Sequence, residues 1–333
     1  MQRKLRDRGF SLVELVVGMA IGLILTIVIM QVFAASEGQK RTTTGGADAQ
    51  TNGNIAVFTV QREVSLAGYG LPVFSTKNPA LQCDPLPVHP TGGAGMFPVF
   101  IAEGAAGFSD VLTIRYGMTG RGGIPVEGSF AGNSVTVTNN LGCELGDDVL
   151  IVNGASCAMQ RVTALPDNTH ITLAAAPAVL MGNIACMGVW NEVVFTATAA
   201  NGLTRNGVSS VANVVSFQAQ YGLTDDPAVA GNSTITSWVN ASGAPDLAMR
   251  RRIRALRVAL ITRSTNLEKE VVTEACNPSA PKQKQPCIWT TDLVPVKIDL
   301  SVSLGADWNR YRYNVFETVI PLRSMVWSSN TQP

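Results

Sequence analysis

Arg8-Gly9-Phe10-Ser11-Leu12-Val13-Glu14-Leu15-Val16-Val17-Gly18-Met19-Ala20-Ile21-Gly22-Leu23-Ile24-Leu25 closes a basic leader and opens an apolar run that continues to Ala35. Between Phe10 and Ala35 the one ionisable side chain is Glu14. At about 1.5 Å per helical residue, that run reaches roughly 39 Å, enough to cross a hydrocarbon core of about 30 Å with some tilt. The stretch therefore predicts a membrane-spanning helix over residues 10–35 that carries a single carboxylate. A cleaved secretory signal is the alternative, since Ala34-Ala35-Ser36 has the small residues of a cleavage site. The run exceeds the usual apolar core of about 7–15 residues, and a carboxylate inside such a core costs insertion energy, so both features weigh against it. Arg3, Lys4, Arg6 and Arg8 against Asp7 place the N-terminus on the cytoplasmic side and everything after Ala35 outside.

Outward from the anchor, residues 36–54 are polar, and Thr42-Thr43-Thr44-Gly45-Gly46 reads as a weak point, because each glycine costs a helix about 1 kcal/mol. Helix resumes with Val57, Val60, Val64 and Ala67 on one stripe, and Gly68-Tyr69-Gly70-Leu71-Pro72 stops it. Residues 36–72 are thus the exported half of one long helix. Residues 73–108 read as loop. Strands are expected over 111–116, 134–138, 148–152, 170–173, 192–198, 214–221, 256–262, 293–304 and 311–325, with turn signals such as Asn153-Gly154 and Asn206-Gly207 between some of them. On the last strand, Tyr311, Tyr313 and Val315 share one face, and Arg312, Asn314 and Phe316 share the other. The fold class is α+β: a long N-terminal hydrophobic helix packed on a β-rich head over 73–333.

Lys and Arg number 25 against 24 Asp and Glu, so the body has no global attraction for nucleic acid or anionic membranes. All six cysteines, Cys83, Cys143, Cys157, Cys186, Cys276 and Cys287, follow the anchor, which suits an oxidising compartment and as many as three disulfides. Connectivity stays open in sequence alone. The first pairing expected is Cys276 with Cys287, which would close the polar, Pro- and Lys-rich stretch 277–286.

No G-x-S-x-G, H-E-x-x-H, G-x-x-x-x-G-K-[ST] or G-x-G-x-x-G occurs, and His89 and His170 are the two histidines, so neither catalysis nor a metal or other cofactor is expected. His170, between Thr169 and Ile171, reads as a strand residue with a satisfied ring. Arg250-Arg251-Arg252-x-Arg254-x-x-Arg257 is the densest charge run after the leader. It reads as a solvated strand entry or a subunit contact rather than a DNA surface, because no aromatic residues interleave with it. Asp225-Asp226 with Asn232 reads as a turn, since the calcium-loop spacing is absent.

Gly9-Phe10-Ser11-Leu12-Val13-Glu14 resembles the type IV prepilin processing motif. Further blocks resemble PilW-type minor pilins: Leu66-Ala67-Gly68-Tyr69-Gly70, residues 215–222, residues 253–264, and residues 311–323. The resemblance implies that residues 1–9 are a leader removed by a prepilin peptidase after Gly9, that Phe10 becomes an N-methylated first residue, and that Glu14 serves assembly. Physically, a carboxylate in the bilayer calls for a cationic partner, and the α-amino group exposed at Phe10 is the nearest kind available. The resemblance further implies a non-enzymatic minor pilin that initiates type IV pilus assembly at or near the tip. Its partners would be other minor pilins, the major pilin, a tip-associated adhesin and an inner-membrane assembly platform, with roles in adhesion and twitching motility. A minor pseudopilin of a type II secretion system, or a tethered adhesin that never polymerises, is the alternative. The blocks match least over residues 73–190, where specificity particular to this chain is expected.

Overall fold

A computed structural model describes residues 11–72, 83–89, 96–118, 125–154, 156–225, 234–241, 243–277, 285–290 and 296–327. The leader 1–9, Gly9, Phe10, Asp226, Asn232 and residues 278–284 of the Cys276–Cys287 stretch lie outside these.

One helix, α1 (Leu12–Val64), runs without a break for 53 residues, or about 80 Å. The weak point expected at 42–46 is absent, and tertiary packing explains why. Gly45, Ala49, Gly53, Ala56, Val60 and Val64 recur every three or four residues and form the buried stripe of the helix. Burial of that stripe against a sheet outweighs the glycine cost. The Thr42 and Thr43 hydroxyls, donating to the Gly38 and Gln39 carbonyls at 3.1 and 2.9 Å, are absorbed into the ladder rather than breaking it. The helix stops at Val64, short of residue 72, and the chain turns through Gly68 (φ +73°) and Gly70 (φ +75°). A β-carbon on Gly70 would also lie 2.9 Å from the Gly117 carbonyl oxygen.

Strands β1 (Val99–Ala102) and β2 (Val111–Met118) come next. Then β3 (Val126–Ala131), β4 (Ser134–Val137), β5 (Asp148–Asn153), β6 (Ser156–Asp167), β7 (His170–Leu173) and β8 (Met181–Cys186) close into an antiparallel barrel in the order β3-β4-β7-β6-β5-β8. The chain returns through β9 (Val189–Thr198), β10 (Gly202–Arg205) and β11 (Val208–Val211), which join the first two strands in the sheet β1-β2-β9-β10-β11. The barrel is thus an insertion between two adjacent strands of that sheet. A second sheet, β13-β12-β14-β17, comprises β12 (Val214–Leu223), β13 (Ser237–Val239), β14 (Ile253–Arg263) and β17 (Tyr313–Pro321). A short helix α2 (Leu247–Arg252) leads into β14, and β15 (Cys287–Ile288) pairs with β16 (Val296–Lys297).

Several expectations are corrected here. Residues 73–108 are not all loop, since β1 lies within them. The strand expected over 293–304 is β16 followed by a helical turn, α3 (Leu300–Leu304), because the Asp299 carboxylate accepts from the Ser301 N–H at 3.1 Å and caps it. The strand expected to reach Met325 ends at Pro321 and gives way to α4 (Arg323–Trp327).

The main core joins the α1 stripe (Ala56, Val60, Val64) to both open sheets through Ile114, Phe195, Phe217, Tyr221, Leu256 and Ile320. The barrel has its own interior around Val135, Val149, Ile171 and Ile184. A third cluster, Met96, Leu150, Met159 and Met187 with Trp190, fills the junction between barrel and sandwich. Cys83 is bonded to Cys157, Cys143 to Cys186, and Cys276 to Cys287. The first ties the segment after α1 to the barrel. The second closes the barrel on itself. Cys276 and Cys287 are 11 residues apart, so removing that bond with the pair Cys276→Ser and Cys287→Ser should cost about 2–4 kcal/mol, read as a lower denaturation midpoint of the oxidised protein.

Candidate functional site

The first half of α1 stands free of the head. Every described residue from Ser11 to Arg41 is exposed, including Leu12, Met19, Leu23 and Phe33, and the helix is long and apolar enough to cross a membrane. Its start is built locally. The Ser11 Oγ accepts from the Val13 N–H at 3.2 Å, and the Glu14 Oε2 accepts from the Ser11 N–H at 3.0 Å, which makes a capping box. That second role for Glu14 is legible in the sequence as Ser-x-x-Glu. It gives the carboxylate a local function beside the charge pairing expected with Phe10.

The second half of α1 is clamped to the head. The ring of Phe316 on β17 sits where a Gly53 side chain would be, with its Cε2 nearest an ideal β-carbon position. The Thr262 hydroxyl donates to the Ala49 carbonyl at 3.0 Å, and the Ser324 hydroxyl donates to the Ala67 carbonyl at 2.8 Å. Nearer the free half, the Thr42 hydroxyl shares its proton between the Gly38 carbonyl and the Glu268 carboxylate, each 3.1 Å away, and Arg312 donates to that carboxylate at 2.9 Å. Glu63 receives Arg205 at 3.0 Å. Gly53→Val should expel Phe316 and destabilise the head by about 1–3 kcal/mol, read as a lower denaturation midpoint.

The arginine run is only partly solvated. Arg250, Arg254 and Arg257 are buried, which corrects the expectation for three of its members; Arg251 remains exposed. Arg250 donates to the Cys83 carbonyl at 3.0 Å, with the Asp84 carboxylate 3.6 Å away. Arg257 donates to the Gln220 side-chain carbonyl at 2.6 Å between the rings of Trp238 and Trp289. These three cations are held inside the fold. His170 is half-exposed, with its Nδ1 2.8 Å from the Asp167 carboxylate.

Asp148 is the polar knot of the region in which specificity was expected. Its side chain is fully buried at the start of β5. It accepts from Arg161 Nε and Nη2 at 3.0 and 3.2 Å and from the Trp190 N–H at 3.0 Å, with His89 Nε2 at 3.0 Å. Burial would raise its pKa, yet the bonds from Arg161, His89 and Trp190 hold it below the ordinary value of 3.8. The knot joins barrel, sandwich and the segment before β1.

A free apolar helix continuing into a half clamped on β-sheets defines the class: a membrane-anchored, pilin-type subunit. Residues 188–324 match the family model for type IV pilus-assembly protein W, and residues 4–30 match the prokaryotic N-terminal methylation motif. No curated protein and no solved structure matches the chain. These matches support a type IV pilus-related pilin that is similar to PilW over residues 188–324. The two matched segments take in the anchor, β9 to β17 and the start of α4, and leave the inserted barrel outside.

Proposed function

We propose that this chain is a non-enzymatic minor pilin, cleaved after Gly9, that initiates type IV pilus assembly and resides at or near the pilus tip. The observation that carries the reading is α1 itself: one uninterrupted helix whose apolar half is unpartnered while its other half is fixed to the head. An apolar surface of that size, holding a carboxylate, is suited to pass from bilayer to a bundle of like helices, where each buried charge meets a partner. The head would then be displayed outside, with other minor pilins, the major pilin and a tip-associated adhesin as neighbours. The inserted barrel, set apart from the segments shared with the family, is the part suited to a contact particular to this chain.

The test is deletion of the gene in pilus-producing cells, complementation, and recovery of sheared pili, with intact-mass measurement of the recovered chain. Loss of pili on deletion, and recovery of a chain lacking residues 1–9 at low abundance, is the expected result. Unchanged pilus number, with the chain found only in membranes and its leader attached, would overturn the reading in favour of a tethered protein that does not polymerise.

A further inference from the structure

The contacts along α1 grade the head by its distance from the anchor. The Ser264 β-carbon lies 3.5 Å from the place of a Gly45 side chain, and the Glu268 carboxylate accepts from the Thr42 hydroxyl at 3.1 Å. From Ser264 to Glu268 the chain therefore descends α1 toward its apolar half. Every described residue of α1 before Thr42 is exposed, so this is where the head first meets the helix. The segment that follows is tied at both ends. The Glu268 N–H donates to the Arg310 carbonyl at 2.9 Å, and the Val272 and Thr273 N–H groups donate to the Asn309 carbonyl at 3.0 Å. Between these ties Lys269, Glu270 and Val271 make no backbone hydrogen bond among the described residues. Leu267 is 42% exposed and Val271 62%. The barrel stands at the other pole. The Gly117 N–H donates to the Tyr69 carbonyl at 2.7 Å, so the strand that leads into the barrel ends beyond α1, about 33 Å farther along the helix than Thr42.

We propose that loop 265–272 rests on the membrane surface on the head's side, with Leu267 and Val271 at the boundary between phospholipid headgroups and acyl chains, and so leans α1 toward the head. The inference rests on α1 as a membrane anchor and is independent of pilus assembly. Length selects the occupant. Thr42 lies about 10 Å along the helix from Ala35, where the apolar run ends. The headgroup layer reaches about 5–7 Å above the hydrocarbon core on each side, and the loop hangs from Thr42 toward it. The apolar run, roughly 39 Å long, exceeds a core of about 30 Å and is accommodated by tilt. A tilt toward the loop lowers that side of the head onto the lipid, where two exposed aliphatic side chains gain by burial. Charge is not the attraction. Arg41 pairs with Glu37 at 3.1 Å, Arg310 with Asp307 at 3.1 Å and Arg312 with Glu268 at 2.9 Å, and Lys269 is followed by Glu270, so the pole carries no strong field of either sign. Exposure alone is not the criterion either. Met181 in the barrel is 71% exposed, yet it stands at the pole away from the anchor.

All six cysteines are in disulfides, so a single introduced cysteine takes a label alone. The experiment attaches the fluorophore NBD to Leu267→Cys, Val271→Cys, Met181→Cys and Leu23→Cys, each in the full chain reconstituted into phosphatidylcholine vesicles. Doxyl-labelled lipids, with the quencher placed shallow or deep along the acyl chain, then report contact. The expected result is deep quenching at 23, and shallow quenching at 267 and 271 about threefold or more above that at 181, unchanged by about 0.5 M salt. Adding Val271→Asp to the chain labelled at 267 should return its quenching to the level seen at 181, with the melting temperature nearly unchanged because the position is exposed. Quenching at 267 and 271 no greater than at 181, with 23 quenched, would overturn the lipid contact in favour of a protein neighbour and leave the anchor standing. Loss of quenching in salt, or undiminished quenching at 267 beside Val271→Asp, would each overturn apolar insertion of the loop. No quenching at any position would overturn both the contact and the anchor.

Discussion

Asp148→Ala is expected to lower the stability of the head by about 3 kcal/mol and to loosen the barrel from the sandwich before the sandwich itself unfolds. Removing one member of a buried ionic cluster costs about 3–5 kcal/mol, because the remaining groups stay desolvated. Here the lower end applies, since Arg161 is 37% exposed and can rehydrate. His89 is only 13% exposed, and the Trp190 N–H would lose its acceptor outright. The pH dependence follows from the direction of the shift. The folded pKa of Asp148 lies below its ordinary value of 3.8, so its contribution is present above pH 3.8 and is lost as pH falls through the lower folded value. The difference in denaturation midpoint between wild type and Asp148→Ala should therefore be smaller at pH 3 than at pH 7. A constant difference across that range would show that the aspartate acts through packing rather than charge.

The knot around Asp148 could not be read from the sequence, and the reason is general to this chain. His89, Asp148, Arg161 and Trp190 lie on four separate segments, and nothing in their spacing relates them. The same holds for the arginine run. Its density was plain, but Arg250 is buried against a carbonyl at Cys83 and Arg257 between two tryptophans from distant segments, one on β13 and one just after β15. What the sequence did carry was local. The apolar run, the strand β14 with its unbroken Ile-Arg-Ala-Leu-Arg-Val-Ala-Leu-Ile-Thr core and the alternation of β17 each follow from residues adjacent in the chain. The glycines of α1 mark the boundary between the two cases. Read by propensity, Gly45 and Gly53 weaken a helix; read with Phe316 in place, Gly53 is the notch that lets the helix lie on its sheet. In the barrel, β3, β6 and β8 went unseen because Gly128, Pro166 and Gly182 interrupt their patterns, and closure supplies the pairing that local preference does not.

Glu14 separates two physical roles that one substitution would confuse. Glu14→Val removes both the charge and the acceptor for the Ser11 N–H, whereas Glu14→Gln removes the charge and keeps a carbonyl oxygen in the same place. Loss of a capping contact costs a helix about 0.5–2 kcal/mol, and a 53-residue helix clamped over its second half absorbs that at one fraying end. Loss of charge acts elsewhere. A carboxylate in the bilayer costs about 2.5–3.5 kcal/mol on insertion scales, so both variants should insert at least as well as wild type. In a bundle of helices, a desolvated α-amino group left without its carboxylate costs about 3–5 kcal/mol, which corresponds to a drop in incorporation of roughly a hundredfold or more. Both variants are thus expected in the membrane fraction and in cleaved form, and both are expected to be nearly absent from sheared pili. Quantitative blotting of membrane and sheared fractions, with intact mass to score cleavage, separates the alternatives. If Glu14→Gln enters pili as wild type does while Glu14→Val does not, the residue serves as a helix cap and the charge pairing is wrong. If both enter equally, Glu14 has no part in assembly.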